Sequence, residues 1–465
     1  MYRTGCTCDV LDVLDVLGVL DVLDVPYVLD VPYTTGATSV LHVPHVPHVP
    51  RGLHVASLDG APPPEGRRDR IPMSTITAVE LVEVAFPTRD LGRNPHGSAT
   101  YLPGTRAEAK RWQVVIETDE GARGTYVSTS PGTGLAIGQT LDLAPILIGR
   151  DPLQREAIFQ ECAQRHRATD HVGYGILDIG LWDLAGKQLD TSVADLLGRY
   201  HDRLPAYAST MHGDAEPDGL SAPGAYVEFA EQCSDQGYRA FKAHPIDADP
   251  VGQSGIVGAL AGGLGDRMDL MLDSSSELRT MAHALAVGRA CDEAGFFWFE
   301  DPLIGGGVSA YAHRKLRQAL RTPLLIGEHL RGISPKADLL AAEATDFLRA
   351  DPDLDLGITG VMRIAHLAEA FGVDVELHTA GPPHRQCMAA IRNSNYYELG
   401  LVHPRLGNPR CPDALYADGY SDQLEAVDAD GCVPVPDGPG LGVTYDEEFL
   451  DRHRTGVAHR FTAAG

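Results

Sequence analysis

MDLMLD (268–273), GFFWFE (295–300) and PLLIGE (323–328) each run a few apolar residues into a carboxylate. The terminal acids, Asp273, Glu300 and Glu328, stand 27 and 28 residues apart. That interval is roughly one strand-plus-helix unit of a β/α-barrel. A short apolar run is the pattern of a parallel strand buried on both faces, and its terminal charge then lies at the barrel mouth. One acid after a strand carries little meaning, because strands often end in solvated acids. Three at one period place three hard oxygen ligands on neighbouring strands. Such carboxylates repel one another unless a divalent cation neutralises them, and Mg²⁺ suits an all-oxygen set.

Polar groups continue at the same rhythm on either side. GYRAFKAHP (237–245) sets Lys242 and His244 two residues apart, on one face of a strand. DFLRADPD carries Asp351, VDVELHTAG carries His378 and NYYELGL carries Glu398, at steps of 23, 27 and 20 residues from Glu328. A single histidine or a single Lys-x-His pair would be unremarkable surface chemistry. The ordered series is what points to a site.

With these residues in place, the chain resembles the enolase superfamily, most closely its mandelate racemase-like branch. The stretches that carry the resemblance run from about residue 76 to about 445. They are HVGYGILDIGLWDLAGKQLDTSVADLLG (171–198), LPAYAST, FKAH, the runs ending at Asp273, Glu300 and Glu328, LGITGVMRIAHLAEAFG (356–372) and ELHT with His378. The resemblance implies an α/β fold, a modified (β/α)7β TIM-type barrel with an α+β capping domain. The capping domain would span 73–203, the barrel 204–410, and a C-terminal segment, 411–465, would return to the cap. Two loops of the cap would close over the substrate, the first being TRDLGRNPHGSATYLPG (88–104), whose Gly, Asn and Pro suit a mobile lid.

The resemblance also implies roles. Mg²⁺ on Asp273, Glu300 and Glu328 would chelate a substrate carboxylate and act as a Lewis acid. His378 would remove the proton α to that carboxylate, with Asp351 fixing its tautomer. Glu398 would be an electrophilic acid, which requires a proton and therefore a raised pKa. Lys242 matches the first lysine of the branch's Lys-x-Lys pair. His244 replaces the second, on the opposite side of the substrate. That departure favours dehydration of a sugar acid to a 2-keto-3-deoxy acid over simple two-base racemisation of a 2-hydroxy acid, and leaves both open. A barrel that binds a ligand without catalysis is the third alternative. The matched base–orienter pair argues against it. Ser275, His329 and Thr379 are the strand-end residues expected to tune specificity.

Composition agrees. The 465 residues exceed the roughly 250 of a barrel alone. A net charge of −26 argues against nucleic-acid or anionic-membrane partners and requires a local positive site for an anionic substrate. Cys6, Cys8, Cys162, Cys233, Cys291, Cys387, Cys411 and Cys432 form no CxxC pair, and read as free thiols of a reducing cytoplasm. The resemblance implies a homo-oligomer. No apolar run is long enough to span a membrane. Residues 1–72 repeat V-L-D and V-P-H units with period three, which fits neither helix nor strand, and read as a disordered extension ahead of Met73.

Overall fold

The computed structural model describes residues 74–93, 99–129, 134–245, 249–304 and 309–463. The expectation for 1–72 lies outside them.

Eight parallel strands build the barrel: β4 (Arg203–His212), β5 (Ala240–His244), β6 (Asp269–Asp273), β7 (Trp298–Glu300), β8 (Leu324–Ile326), β9 (Phe347–Ala350), β10 (Asp374–Leu377) and β11 (Tyr397–Val402). They pair in chain order from β4 to β10, and β11 returns to pair with β4. The seam between β10 and β11 is closed differently. Val375 N donates to Asn393 O at 2.7 Å, and the Glu376 carboxylate accepts from Asn395 N at 3.0 Å and Tyr396 N at 3.2 Å. Burial pushes Glu376 up to about 7, while these donors hold it down. Most of the strands are only three to six residues long, and apolar on both faces because helices cover them outside and side chains fill them inside. Tyr207, Ala240, Met271, Trp298 and Leu325 form a buried layer inside the barrel.

The capping sheet is antiparallel. Strands β1 (Ile76–Arg93) and β2 (Ala99–Thr118) form a long arm, β3 (Arg123–Val127) adds to β2, and the terminal strand β13 (Arg454–Thr462) adds to β1. A short strand, β12 (Cys432–Pro434), pairs with β4. Here the loop expected over 88–104 is corrected at 88–93 and 99–104, and its residues 94–98 lie outside the described residues. Strand β1 runs on to Arg93, β2 begins at Ala99, and Leu91 faces Tyr101 in register. Cross-strand pairing overrides the local preference of Gly92 for a turn. The arm reaches the barrel, where Thr100 pairs with His212 of β4.

The helix Gly175–Gln188 is buried on almost every side. It packs between the capping sheet and the barrel helix Gly357–Ala370, which is why its sequence is apolar all round. Its Asp178 accepts from Thr359 N at 2.9 Å and Thr359 Oγ1 at 2.8 Å. Gly357, at φ +75°, leaves no room for a side chain: a Cβ there would lie 2.3 Å from the Asp178 carboxylate.

Candidate active site

The strand ends bring the acids together. Asp273 closes β6 and Glu300 closes β7, paired in register, while Glu328 lies two residues beyond β8. Their ligand oxygens lie within 4.8 Å of one another. Asp273 and Glu300 are buried and Glu328 is partly open. Three oxygens at this spacing can hold one hard cation, with open positions left on the exposed side of Glu328.

Two permanent cations sit beneath the cluster. Lys242 Nζ lies 2.8 Å from Glu300 Oε2, 3.0 Å from Glu398 Oε1 and 3.3 Å from Asp273 Oδ2. Arg349 grips Glu300 with two bonds, Nε to Oε1 at 2.5 Å and Nη2 to Oε2 at 2.9 Å, and donates to Leu377 O and Tyr207 Oη. Burial works against both charges, but Glu300 and Glu398 outweigh it and keep Lys242 and Arg349 firmly protonated. Arg349 was not singled out from the sequence. The available signal was a charged residue inside an apolar strand, two positions before Asp351 and so on the same face.

His378, just past β10, donates from Nδ1 to Asp351 Oδ2 at 2.9 Å, and its Nε2 stands 3.3 Å from Glu328 Oε1. Burial favours the neutral ring, but Glu328 and Asp351 outweigh it and raise His378 to about 9. Asp351 is held at about 2: burial pushes it up, and the bond and charge of His378 pull it further down. His244 Nε2 lies 3.0 Å from Asp273 Oδ2, and its ring centre is 4.9 Å from that of His212. His212 Nε2 is 2.9 Å from Ser275 Oγ.

The expectation of a raised pKa for Glu398 is corrected. Burial pushes it up, but Lys242, Arg349 and His378 outweigh this and hold the carboxylate well below its ordinary value. Glu398 sits near the start of β11, not its end, and its Oε2 accepts from Thr379 N at 2.7 Å.

Asp301 is fully buried, and neither of its oxygens has a hydrogen-bond donor among the described residues. Burial, then Glu328 and Asp273, hold it well above the ordinary carboxylate range. Ser275, Asp301 and Thr379 adopt positive φ angles of 52°, 35° and 67°. Each lies one or two residues after a polar group of the site, where such backbone strain concentrates.

A capped parallel barrel with a carboxylate trio and a His–Asp pair at its strand ends defines an enolase-type protein. The chain belongs to the mandelate racemase/muconate lactonizing enzyme family of the enolase superfamily. Residues 86–198 match the "Mandelate racemase / muconate lactonizing enzyme, N-terminal domain" and residues 225–449 the "Enolase C-terminal domain-like" family model. The chain is 29% identical over 353 residues to D-galactarolactone cycloisomerase of Agrobacterium fabrum, covering 73% of this chain and 90% of that protein. It is 29% identical over 291 residues to D-gluconate/D-galactonate dehydratase of Picrophilus torridus, covering 59% and 69%. The crystal structure of D-glucarate dehydratase from Agrobacterium tumefaciens complexed with magnesium superposes with a TM-score of 0.70 at 29% identity, covering 82% of this chain and all of that one.

Proposed function

We propose that this protein is a Mg²⁺-dependent lyase that converts a sugar acid to a 2-keto-3-deoxy acid. The observation that carries the reading is the placement of His378: Asp351 holds one ring nitrogen, and the other faces the Asp273/Glu300/Glu328 cluster through Glu328. Asp273, Glu300 and Glu328 would hold the metal, which supplies Lewis-acid charge beside the substrate carboxylate. Neutral His378, which the charge of a bound metal would favour over the protonated ring of the metal-free site, takes the α-proton at Nε2, and Asp351 stabilises the imidazolium that results. His244 or His378 protonates the β-hydroxyl, so that the C–H and C–O bonds break and water leaves. Lys242 and Arg349 set the orientation of Glu300, and ionised Glu398 fixes Lys242 and the Thr379 amide.

A relative that dehydrates D-gluconate and a neighbour that dehydrates D-glucarate support the substrate class. Racemisation of a 2-hydroxy acid is the second reading, favoured by the presence of His244 as a further candidate base. Incubation with a sugar-acid panel and Mg²⁺ in D₂O separates the two. Dehydration appears as a 2-keto acid, and racemisation as α-deuterium incorporation without one. Exchange with neither product nor stereochemical change would refute both.

The reading includes a cytoplasmic homo-oligomer. It is supported by six cysteines that form no disulfide among the described residues. No helix among those residues is long and apolar enough to cross a membrane.

A further inference from the structure

A second group of ligand atoms converges on Glu328. Asp301, Glu328 and His329 each offer one such atom, and these atoms lie within 4.8 Å of one another. His329 Nε2 is 3.6 Å from Asp301 Oδ2 and 3.8 Å from Glu328 Oε1. Both gaps are too long for hydrogen bonds. They are close to the separation of two ligands on one tetrahedral ion, about 3.4 Å for bonds of about 2.1 Å. This group has Glu328 in common with the Asp273/Glu300/Glu328 cluster, and a carboxylate has two oxygens with which to bridge two ions.

Acids gather near one another in many proteins without an ion. What sets this group apart is Asp301. It is 0% exposed, and neither carboxylate oxygen has a hydrogen-bond partner among the described residues. Its main chain is nonetheless fully paired: Asp301 N donates to Leu325 O at 3.2 Å, and Asp301 O accepts from Ser276 N at 2.7 Å. The backbone thus fixes the residue just past β7, while its carboxyl group points at the His329 ring without a bond to it. Glu300, one residue earlier, is met by both Lys242 and Arg349. A buried carboxyl group left without such a partner is costly, and a cation at the point where the three ligand atoms converge removes the cost. The His329 side chain is 44% exposed, which gives an ion a way in from solvent.

We infer that Asp301, Glu328 and His329 form a second divalent-cation site, joined to the first through Glu328, and that it takes a transition-metal ion such as Mn²⁺ in preference to Mg²⁺. The two sites differ in donor type. Asp273, Glu300 and Glu328 are an all-oxygen set, which suits Mg²⁺, whereas His329 adds an imidazole nitrogen, which suits a first-row transition metal. The inference goes beyond the lyase reading and does not rest on it. Glu328 Oε1 also lies 3.3 Å from His378 Nε2, so the second ion draws on the oxygen that faces the base.

Full-length protein freed of metal with EDTA is titrated with Mn²⁺ and followed by EPR, and with Mg²⁺ by calorimetry. Two ions sharing Glu328 would stand roughly 3.5 to 4 Å apart, close enough for a spin-coupled spectrum. The wild type should bind one Mn²⁺ more per chain than His329→Ala or Asp301→Asn, and each variant should lose the coupled signal. The Mg²⁺ count should be the same in all three proteins. Any ion taken by His42, His45, His48 and His54 is common to the three, so the difference between them is the readout. His329→Ala changes a partly exposed side chain and carries the test should Asp301→Asn fail to fold. Equal Mn²⁺ counts in wild type and His329→Ala, or an extra ion without spin coupling, would overturn the site. A Mg²⁺ count that falls in the variants would overturn the transition-metal assignment. A spin-coupled pair in a wild type that makes no keto acid would support the second site and refute only the lyase assignment.

Discussion

Replacing Arg349 by Met removes a guanidinium that is fully buried and makes four hydrogen bonds, two of them to Glu300. The methionine keeps the side-chain bulk beside Trp298, whose ring centre lies 5.8 Å from the Arg349 guanidinium carbon. What changes is the charge on Glu300, which is left with Lys242 alone, and the carbonyl of Leu377, which loses its donor. Breaking a buried ion pair from one side costs about 3 to 5 kcal/mol, because the surviving charge stays desolvated. Lys242 at 2.8 Å shields part of that loss, so the lower half of the range is expected. Adding Glu300→Gln to Arg349→Met removes both partners, and should recover about 1 to 3 kcal/mol of the loss. Urea denaturation in EDTA, with the wild type, both single variants and the double variant, reads these values as a double-mutant cycle. A loss below about 1 kcal/mol in Arg349→Met, or a double variant as unstable as the two singles added, would refute the claim that Arg349 holds Glu300 in its charged form.

Three further outcomes follow from the same geometry. Glu328→Gln removes a ligand charge at the open side of the cluster and should weaken Mg²⁺ binding at least about 10-fold in calorimetry, with little change in metal-free stability; unchanged affinity would remove Glu328 from the metal set. His378→Asn should abolish α-deuterium exchange, whereas His244→Asn should slow keto-acid formation yet leave exchange detectable by NMR; undiminished exchange in His378→Asn would end its assignment as the base. In metal-free protein His378 is raised from an ordinary 6.5 to about 9, so its contribution to stability is present below pH 6.5 and lost as pH rises through 9. The difference in unfolding free energy between wild type and His378→Asn should therefore shrink across that window, by at most about 3 kcal/mol, and a difference that does not change with pH would contradict the Glu328 and Asp351 contacts.

The barrel was legible because its determinants are local and periodic. A buried parallel strand must be apolar and short, so an acid that ends it stands out, and Asp273, Glu300 and Glu328 could be set side by side by counting residues. What escaped was everything fixed by partners distant in sequence. The ionisation of Glu398 depends on Arg349, 49 residues earlier and on another strand, and no local pattern announces that the two meet. The arm of β1 and β2 escaped for the same reason. Its Gly92 suits a loop until the facing strand is known.

The polar layer of this barrel also shows how so many acids can be buried together. Lys242 and Arg349 lie one layer deeper than the strand ends, and they tie Asp273, Glu300 and Glu398 from below. Those ties help to pull Asp273 and Glu398 below the ordinary carboxylate range and work against the burial that raises Glu300, and the oxygens not used in them remain available on the side of Glu328 and His378. Asp301 is the contrasting case. It follows Glu300 directly, turns through a positive φ, and meets no donor among the described residues beyond the His329 ring at 3.6 Å. Without a cation beneath it, burial and its acidic neighbours push it well above the ordinary carboxylate range, whereas at Glu300 the charges of Arg349 and Lys242 oppose the rise that burial brings. Which buried acids have a counter-charge at hand is thus set by the reach of the two deep cations, which touch Asp273, Glu300 and Glu398 and leave Asp301 outside it.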